Sequence, residues 1–103
     1  VAGVQCDNEQ GIGIAIDHLI SLGHKKIGFA IENHFLVGEG LLRREAFLLV
    51  AKRKGISDAE NLLVCFNEPS DLVPAIKEKG LTGVICWNDG TAATVLRTVQ
   101  QNG

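Results

Sequence analysis

The stretch from Asp7 to Phe29 constrains the fold most. Asp7-Asn8-Glu9-Gln10-Gly11 opens a helix, Leu22-Gly23-His24-Lys25-Lys26 ends it, and Ile27-Gly28-Phe29 begins an apolar strand. Asp7 can accept the free amides of the first turn, and Gln10, three positions on, can reach back to close a capping box. Ile12, Ile16, Leu19 and Ile20 recur at helical spacing and predict one apolar face. Gly23 supplies the left-handed residue of a helix stop, and Lys25 and Lys26 sit near the negative end of the helix dipole. The apolar run from Ile27 to Ile31 is that of a strand buried on both faces, as in parallel sheets. Strand, capped helix and strand in this order make a βαβ unit, the building block of α/β domains.

The same alternation continues to the end of the chain. Val1 to Cys6 is the first expected strand, Asn8 to Leu22 the first helix and Lys26 to Ile31 the second strand. After a loop from Glu32 to Gly40, a second helix runs from about Leu41 to Lys54. Leu42, Ala46, Leu49 and Val50 are expected on its buried face, and Gly55 ends it. Leu62 to Phe66 is the third strand. A shorter helix with Pro69 and Pro74 in or near its opening turns ends at Gly80. Gly83 to Trp87 is the fourth strand and Thr91 to Gln101 the last helix. The order βαβαβαβα predicts a three-layer α/β domain: a parallel sheet with helices on both faces, joined by right-handed crossovers. Residues 1–103 form one unit, with no linker or short repeat inside it. Cys6, Ile27, Phe29, Val64, Val84 and Ile85 are expected in the core.

Charge and cysteine usage exclude several classes. The net charge is −2 with the signs mixed along the chain, so no electrostatic footprint for nucleic acid or an anionic membrane is present. No segment has the apolar length of a membrane span. The chain opens directly in strand-like sequence without an initiator methionine, and is expected to be a piece of a longer protein. Cys6, Cys65 and Cys86 each fall in an apolar run, and their spacing matches no metal site. They read as small core residues of a reducing compartment, and the expected location is the cytoplasm.

In open parallel sheets, ligands bind outside the carboxyl ends of the strands. Those ends here are Cys6-Asp7-Asn8, Ile31-Glu32-Asn33, Phe66-Asn67-Glu68 and Trp87-Asn88-Asp89. Asparagines beside acids suit a polyhydroxy or otherwise polar small molecule better than a phosphate. Trp87 either closes its strand into the core or offers its face to a ligand, with the Asn88 amide beside it for hydroxyls. Catalytic and cofactor patterns are missing. Gly11-Ile12-Gly13 lacks the third glycine of a dinucleotide fingerprint, with Ile16 in its place, and Glu32 is only a generic candidate for the ribose-binding acid. His18, His24 and His34 share no ligand spacing, so no metal is expected. Ser21, Ser57 and Ser70 sit at helix ends or turns, with no nucleophile elbow. The paired acids of a phosphoryl-accepting receiver domain are also missing. No enzyme activity and no cofactor are expected.

Three stretches together resemble the lactose-repressor (LacI/GalR) family of transcription regulators: Asp7-Asn8-Glu9-Gln10-Gly11 with His18-Leu19-Ile20-Ser21-Leu22-Gly23-His24-Lys25-Lys26-Ile27, then Arg43-Arg44-Glu45-Ala46-Phe47, then Trp87-Asn88-Asp89-Gly90-Thr91-Ala92. The resemblance covers essentially the whole chain. It implies one lobe, the C-terminal one, of a two-lobed periplasmic-binding-protein-like effector domain. The family closes its two lobes over a small effector, often a sugar or nucleobase. Operator DNA is bound only through a helix-turn-helix headpiece outside this chain, and the protein is expected to form a homodimer. The N-terminal lobe, the headpiece and the closing strands of this lobe would also lie outside.

By position, Asn88 matches the asparagine that hydrogen-bonds the effector. Gln10 lies near a position contributing polar contacts, and Phe66 and Asn67 fall where an aromatic or polar side chain flanks the ligand. With Trp87 these are the candidate effector-binding residues. One departure stands out: Leu41 occupies the position of the family's effector-clamping arginine, and Arg43 matches a second arginine, read here as structural or surface. Losing that planar fork removes bidentate clamping. The alternative reading is a lobe of an extracytoplasmic sugar- or solute-binding protein. Unpaired cysteines argue against it, because oxidising compartments penalise free thiols.

Overall fold

The computed structural model describes residues 2–5, 9–56 and 58–101. Strands β1 (Ala2–Gln5), β2 (Ile27–Glu32), β3 (Leu63–Phe66) and β4 (Gly83–Cys86) alternate with helices α1 (Glu9–Ser21), α2 (Gly38–Arg53), α3 (Leu72–Lys79) and α4 (Asp89–Gln101). All three strand pairings are parallel, in the order β1-β4-β2-β3. The expected parallel α/β architecture is therefore the observed one. Short 3-10 turns at Asn33–Phe35, Ala59–Leu62 and Pro69–Asp71 fill the connections.

β2 is the centre of the sheet, with five of its six residues buried. Its side chains alternate between two apolar clusters. Ile27, Phe29 and Ile31 meet α1 and α2 on one face, together with Ile12, Ile16, Leu19, Phe47 and Val50. Ala30 points to the other face, where Val64, Phe66, Leu72, Ile76, Val84 and Val95 pack under α3 and α4. The chain passes from β2 to its neighbour β3, then back across β2 to β4. Right-handed crossovers in opposite directions put their helices on opposite faces. The expected core residues Ile27, Phe29, Val64, Val84 and Ile85 are all buried. Cys6 and the expected Asp7 cap lie outside the described residues.

Gly80 ends α3 at φ +67°. The amide of Leu81 donates to the Ile76 carbonyl at 3.0 Å and that of Gly80 to Lys77 at 3.1 Å, satisfying carbonyls that a helix end leaves open. A side chain would strain this left-handed backbone, so the stop coincides with the glycine. The expected stops at Gly23 and Gly55 close with the same pair of bonds, His24 to Leu19 and Ile56 to Ala51 being the ones that span five residues.

The faces of two helices differ from expectation. Leu42 is 64% exposed and Leu49 42%. Of the expected face Val50 is buried and Ala46 partly so, and Gly40, Phe47 and Ala51 complete the buried face of α2. Phe47 decides this, because it stacks on Phe29 with ring centroids 5.3 Å apart. At roughly 100° per residue, Leu49 then lies about 200° around the helix from Phe47. In α1 the buried stripe is Ile12, Ala15, Ile16 and Leu19, and Ile20 is 44% exposed. Gly13 faces Val50 of α2 and Lys54 just beyond it, at distances where a side-chain Cβ would also fit.

The cysteines also divide. Cys86 is buried, while Cys65 is free and exposed, which corrects its expected place in the core. Cys65 lies on the edge strand β3, whose alternate residues Val64 and Phe66 take the buried side. A thiol-titration time course under native, non-reducing conditions should therefore show Cys65 reacting promptly. Cys86 should react only on unfolding. Rapid reaction of a Cys65→Ser variant at Cys86 would contradict this packing.

Candidate effector site

The carboxyl ends of β2, β3 and β4 open onto one rim. The register Ala30↔Cys86, continued two residues, sets Glu32 opposite Asn88, and Glu32 pairs with Phe66 on the other side. Strand alternation sends Glu32 and Asn88 to the same face as Ala30 and Cys86. They meet there at Thr91, which is 1% exposed. The Thr91 hydroxyl donates to the Glu32 carboxylate. The Thr91 amide donates to Asn88 Oδ1 at 2.8 Å. Asn88 is thus the N-cap of α4, and its backbone carbonyl takes the first helical bond, from Ala92 at 3.0 Å. With the carbonyl oxygen of its side chain engaged, the Asn88 amide presents its NH₂ donors.

On the opposite side of the sheet plane, Trp87 continues β4 and packs half-buried against the α1–α2 cluster. Phe35 lies against it with centroids 5.0 Å apart. His34 follows at 4.1 Å from Phe35. The Arg43 guanidinium stands 5.6 Å from the Trp87 ring centroid and donates to the Trp87 carbonyl at 2.7 Å. Glu39, one turn earlier on α2, lies 3.7 Å from the same guanidinium. This row of rings exists because the loop after β2 folds hard against α2. A Cβ on Gly40 would fall 1.9 Å from the Phe35 carbonyl oxygen, so only glycine permits the contact. The indole Nε1 of Trp87 is buried and has no hydrogen-bond partner among the described residues. A buried donor left unpaired costs about 1–3 kcal/mol, so this N–H is a group to which a ligand or water acceptor would bond favourably.

The third strand end adds amides. Asn33 Nδ2 donates to Asn67 Oδ1 at 2.9 Å, tying the ends of β2 and β3. Both residues are exposed. The Asp71 carboxylate accepts the backbone amides of Glu68 at 3.0 Å and Asn67 at 3.3 Å, which fixes this loop.

Of the residues singled out from sequence, Asn67, Trp87 and Asn88 come to this rim. Phe66 is 2% exposed and packs beneath it, in the cluster under α3 and α4. Gln10 is exposed in the groove between α1 and α2, lined also by Gly13, Ile14, Asp17, Val50, Arg53 and Lys54. Arg43 is structural, as read from sequence, but is an integral part of the rim and not merely surface. Glu32 entered the sequence reading only as a strand-end acid, and the rim residues that it passed over are Phe35 and Thr91. Asn88 just ahead of a helix is an N-cap signal, and it points to the amide of the residue three positions on, Thr91. Among the described residues, no group of three potential metal ligands occurs.

The periplasmic binding protein-like domain model matches residues 16–103. The HTH-type transcriptional regulator GalR of Escherichia coli is 30% identical over 107 residues, covering 97% of this chain and 31% of that protein. The arabinose metabolism transcriptional repressor of Geobacillus stearothermophilus is 28% identical, covering 97% of this chain and 30% of that protein. The chain thus spans about a third of the length of these curated relatives. Among solved structures, a sugar-binding transcriptional regulator of the LacI family from Escherichia coli, complexed with phosphate, superposes with a TM-score of 0.71 at 23% identity. That match covers 97% of this chain and 38% of the other, and it bears out the fold.

The cap can be tested without any ligand. Asn88→Ala should lower the unfolding free energy by about 1 kcal/mol in urea denaturation. Asn88→Ser, which keeps an acceptor for the Thr91 amide, should change it by a few tenths at most. Equal losses in the two variants would show that the cap is not what Asn88 contributes to stability.

Proposed function

The chain belongs to the periplasmic binding protein-like domain family, and we propose that it is the C-terminal, effector-sensing lobe of a LacI/GalR-type transcription regulator. The effector, a sugar or related polar molecule, docks on the rim formed by the ends of β2, β3 and β4. The observation that carries this reading is the convergence of Trp87, Asn88 and Asn67 at that rim, on a scaffold that locks each by a hydrogen bond or ring contact. Their amides offer donors and acceptors for hydroxyl groups, and the aromatic row offers an apolar wall. Phe66 supports the rim from below, and Gln10 stands outside this group. The curated relatives are transcriptional regulators and not enzymes, and we assign this lobe no catalysis, cofactor or metal.

The rest of the regulator, a second lobe and a helix-turn-helix headpiece, accounts in this reading for the additional length of the relatives. DNA is contacted only through that headpiece. The protein works as a homodimer in the cytoplasm. Exposed apolar side chains such as Ile14, Leu22, Val37, Leu42 and Leu96 supply surface that association would cover. No helix among the described residues is long and apolar enough to cross a membrane. The extracytoplasmic alternative gives way, because the curated relatives are regulators and the exposed Cys65 is a free thiol.

Asn88→Ser separates binding from folding, since it keeps the cap while removing the NH₂ donors. In the full-length regulator, calorimetry with a neutral sugar that binds the unmodified protein should show Asn88→Ser weaker by about 1–3 kcal/mol, roughly five- to a hundred-fold. Operator affinity without sugar should stay within two-fold of the parent by about the same measure of experimental scatter. Unchanged sugar affinity in a stably folded Asn88→Ser would remove Asn88 from the site.

A further inference from the structure

The rim has Leu41 where the resemblance places an arginine fork, but contains the carboxylate of Glu32, whose bond to Thr91 uses only part of its acceptor capacity. Glu32 ends the central strand, is only half-buried, and forms no ion pair among the described residues' salt bridges. One of its oxygens accepts the hydroxyl of Thr91, a side chain 1% exposed and itself held through its amide by Asn88. A carboxylate has acceptor capacity for several further donors and no donor of its own when ionised. Its strand register sets it between Phe66 and the Asn88 position, at the middle of the rim. The surrounding charge has the same sign. Glu39, Glu68 and Asp71 lie on the flanking segments, whereas Arg43 is the rim's described permanent cation and is already turned toward the Trp87 carbonyl and Glu39.

We infer that Glu32 is the specificity-determining residue of this site, and that it selects an uncharged, hydroxyl-rich effector against phosphorylated or carboxylated analogues. This rests on the effector-site reading above and names the ligand class that the reading leaves open. The free carboxylate oxygen accepts one or two ligand hydroxyls, and charge-assisted bonds of this kind are stronger than neutral ones. The same oxygen repels an anionic substituent brought to the rim, where partial exclusion of water leaves the repulsion less screened than in bulk solvent. Rejection therefore comes from an element that disfavours the wrong ligand as well as from one that favours the right one. Thr91 is a positioning residue: its hydroxyl fixes the carboxylate rotamer, so that the ligand does not have to order it.

The test uses the full-length regulator and a panel of neutral hexoses and pentoses, the phosphate ester of each, and inorganic phosphate, followed by thermal shift and calorimetry. At least one neutral sugar should bind about ten-fold or more tightly than its own ester. Glu32→Gln keeps the shape and an acceptor for Thr91 but removes the charge. It should weaken the neutral sugar by about ten-fold and narrow or abolish the discrimination against the ester. Thr91→Val should weaken the sugar in the same direction and Thr91→Ser should restore it, with melting temperature reporting any loss of fold separately. An ester bound as tightly as its parent sugar, or discrimination unchanged in a folded Glu32→Gln, overturns the role of Glu32 while leaving the effector site standing. Absence of binding by every panel member overturns the sugar-effector reading itself, and this inference with it.

Discussion

The crossover direction at β2 is the constraint on which the rest depends. β3 lies on one side of β2 and β4 on the other, so the helices that follow β2 and β4 leave toward opposite faces of the sheet. Neighbouring strands whose chains diverge in this way cannot be covered at their carboxyl ends by either connection. A crevice is left there by topology alone. Burial of β2 on both faces, with Phe29 against Phe47 on one of them, keeps the divergence rigid.

What fills that crevice is a set of short-range ties. Thr91 is bonded to Asn88 by its amide and to Glu32 by its hydroxyl, joining the ends of β4 and β2. Asn33 and Asn67 join β2 to β3. Arg43 joins α2 to the end of β4 through the Trp87 carbonyl. Groups fixed in this way lose little further freedom when a ligand arrives, which is the physical content of preorganisation. Each tie also consumes part of a side chain's hydrogen-bonding capacity, and so determines which atoms remain for a ligand. Asn88 illustrates this: as a cap it spends one of the two acceptor sites of Oδ1 on the Thr91 amide and keeps both NH₂ donors for a ligand.

The layer order, the parallel sheet and the helix stops were legible in the sequence because they rest on local signals: apolar periodicity and glycines at left-handed positions. The faces of α2 were not. Leu42 and Leu49 look more hydrophobic than Gly40 and Ala51, yet Phe47 packing on Phe29 sets the rotation, and that partner is distant in sequence. Cys65 was misplaced for a related reason, since an edge strand exposes alternate residues that a central strand would bury. Within the site, Asn67, Trp87 and Asn88 could be found as strand-end residues. Glu32 and Thr91 acquire their meaning only from the register between β2 and β4, and Phe35 only from the missing side chain at Gly40.

Trp87 is the single tryptophan of this chain and one of the residues of the proposed site. The most direct test is therefore the ¹⁵N-resolved indole resonance of Trp87 in the full-length regulator, assigned with Trp87→Phe and followed during titration with a sugar whose binding calorimetry has established. The account predicts a saturable shift of that resonance, together with the side-chain amides of Asn88 and Asn67, at the calorimetric affinity. Saturation of the protein with these signals unmoved, and with changes confined to the groove of Gln10, Gly13 and Val50, would contradict it.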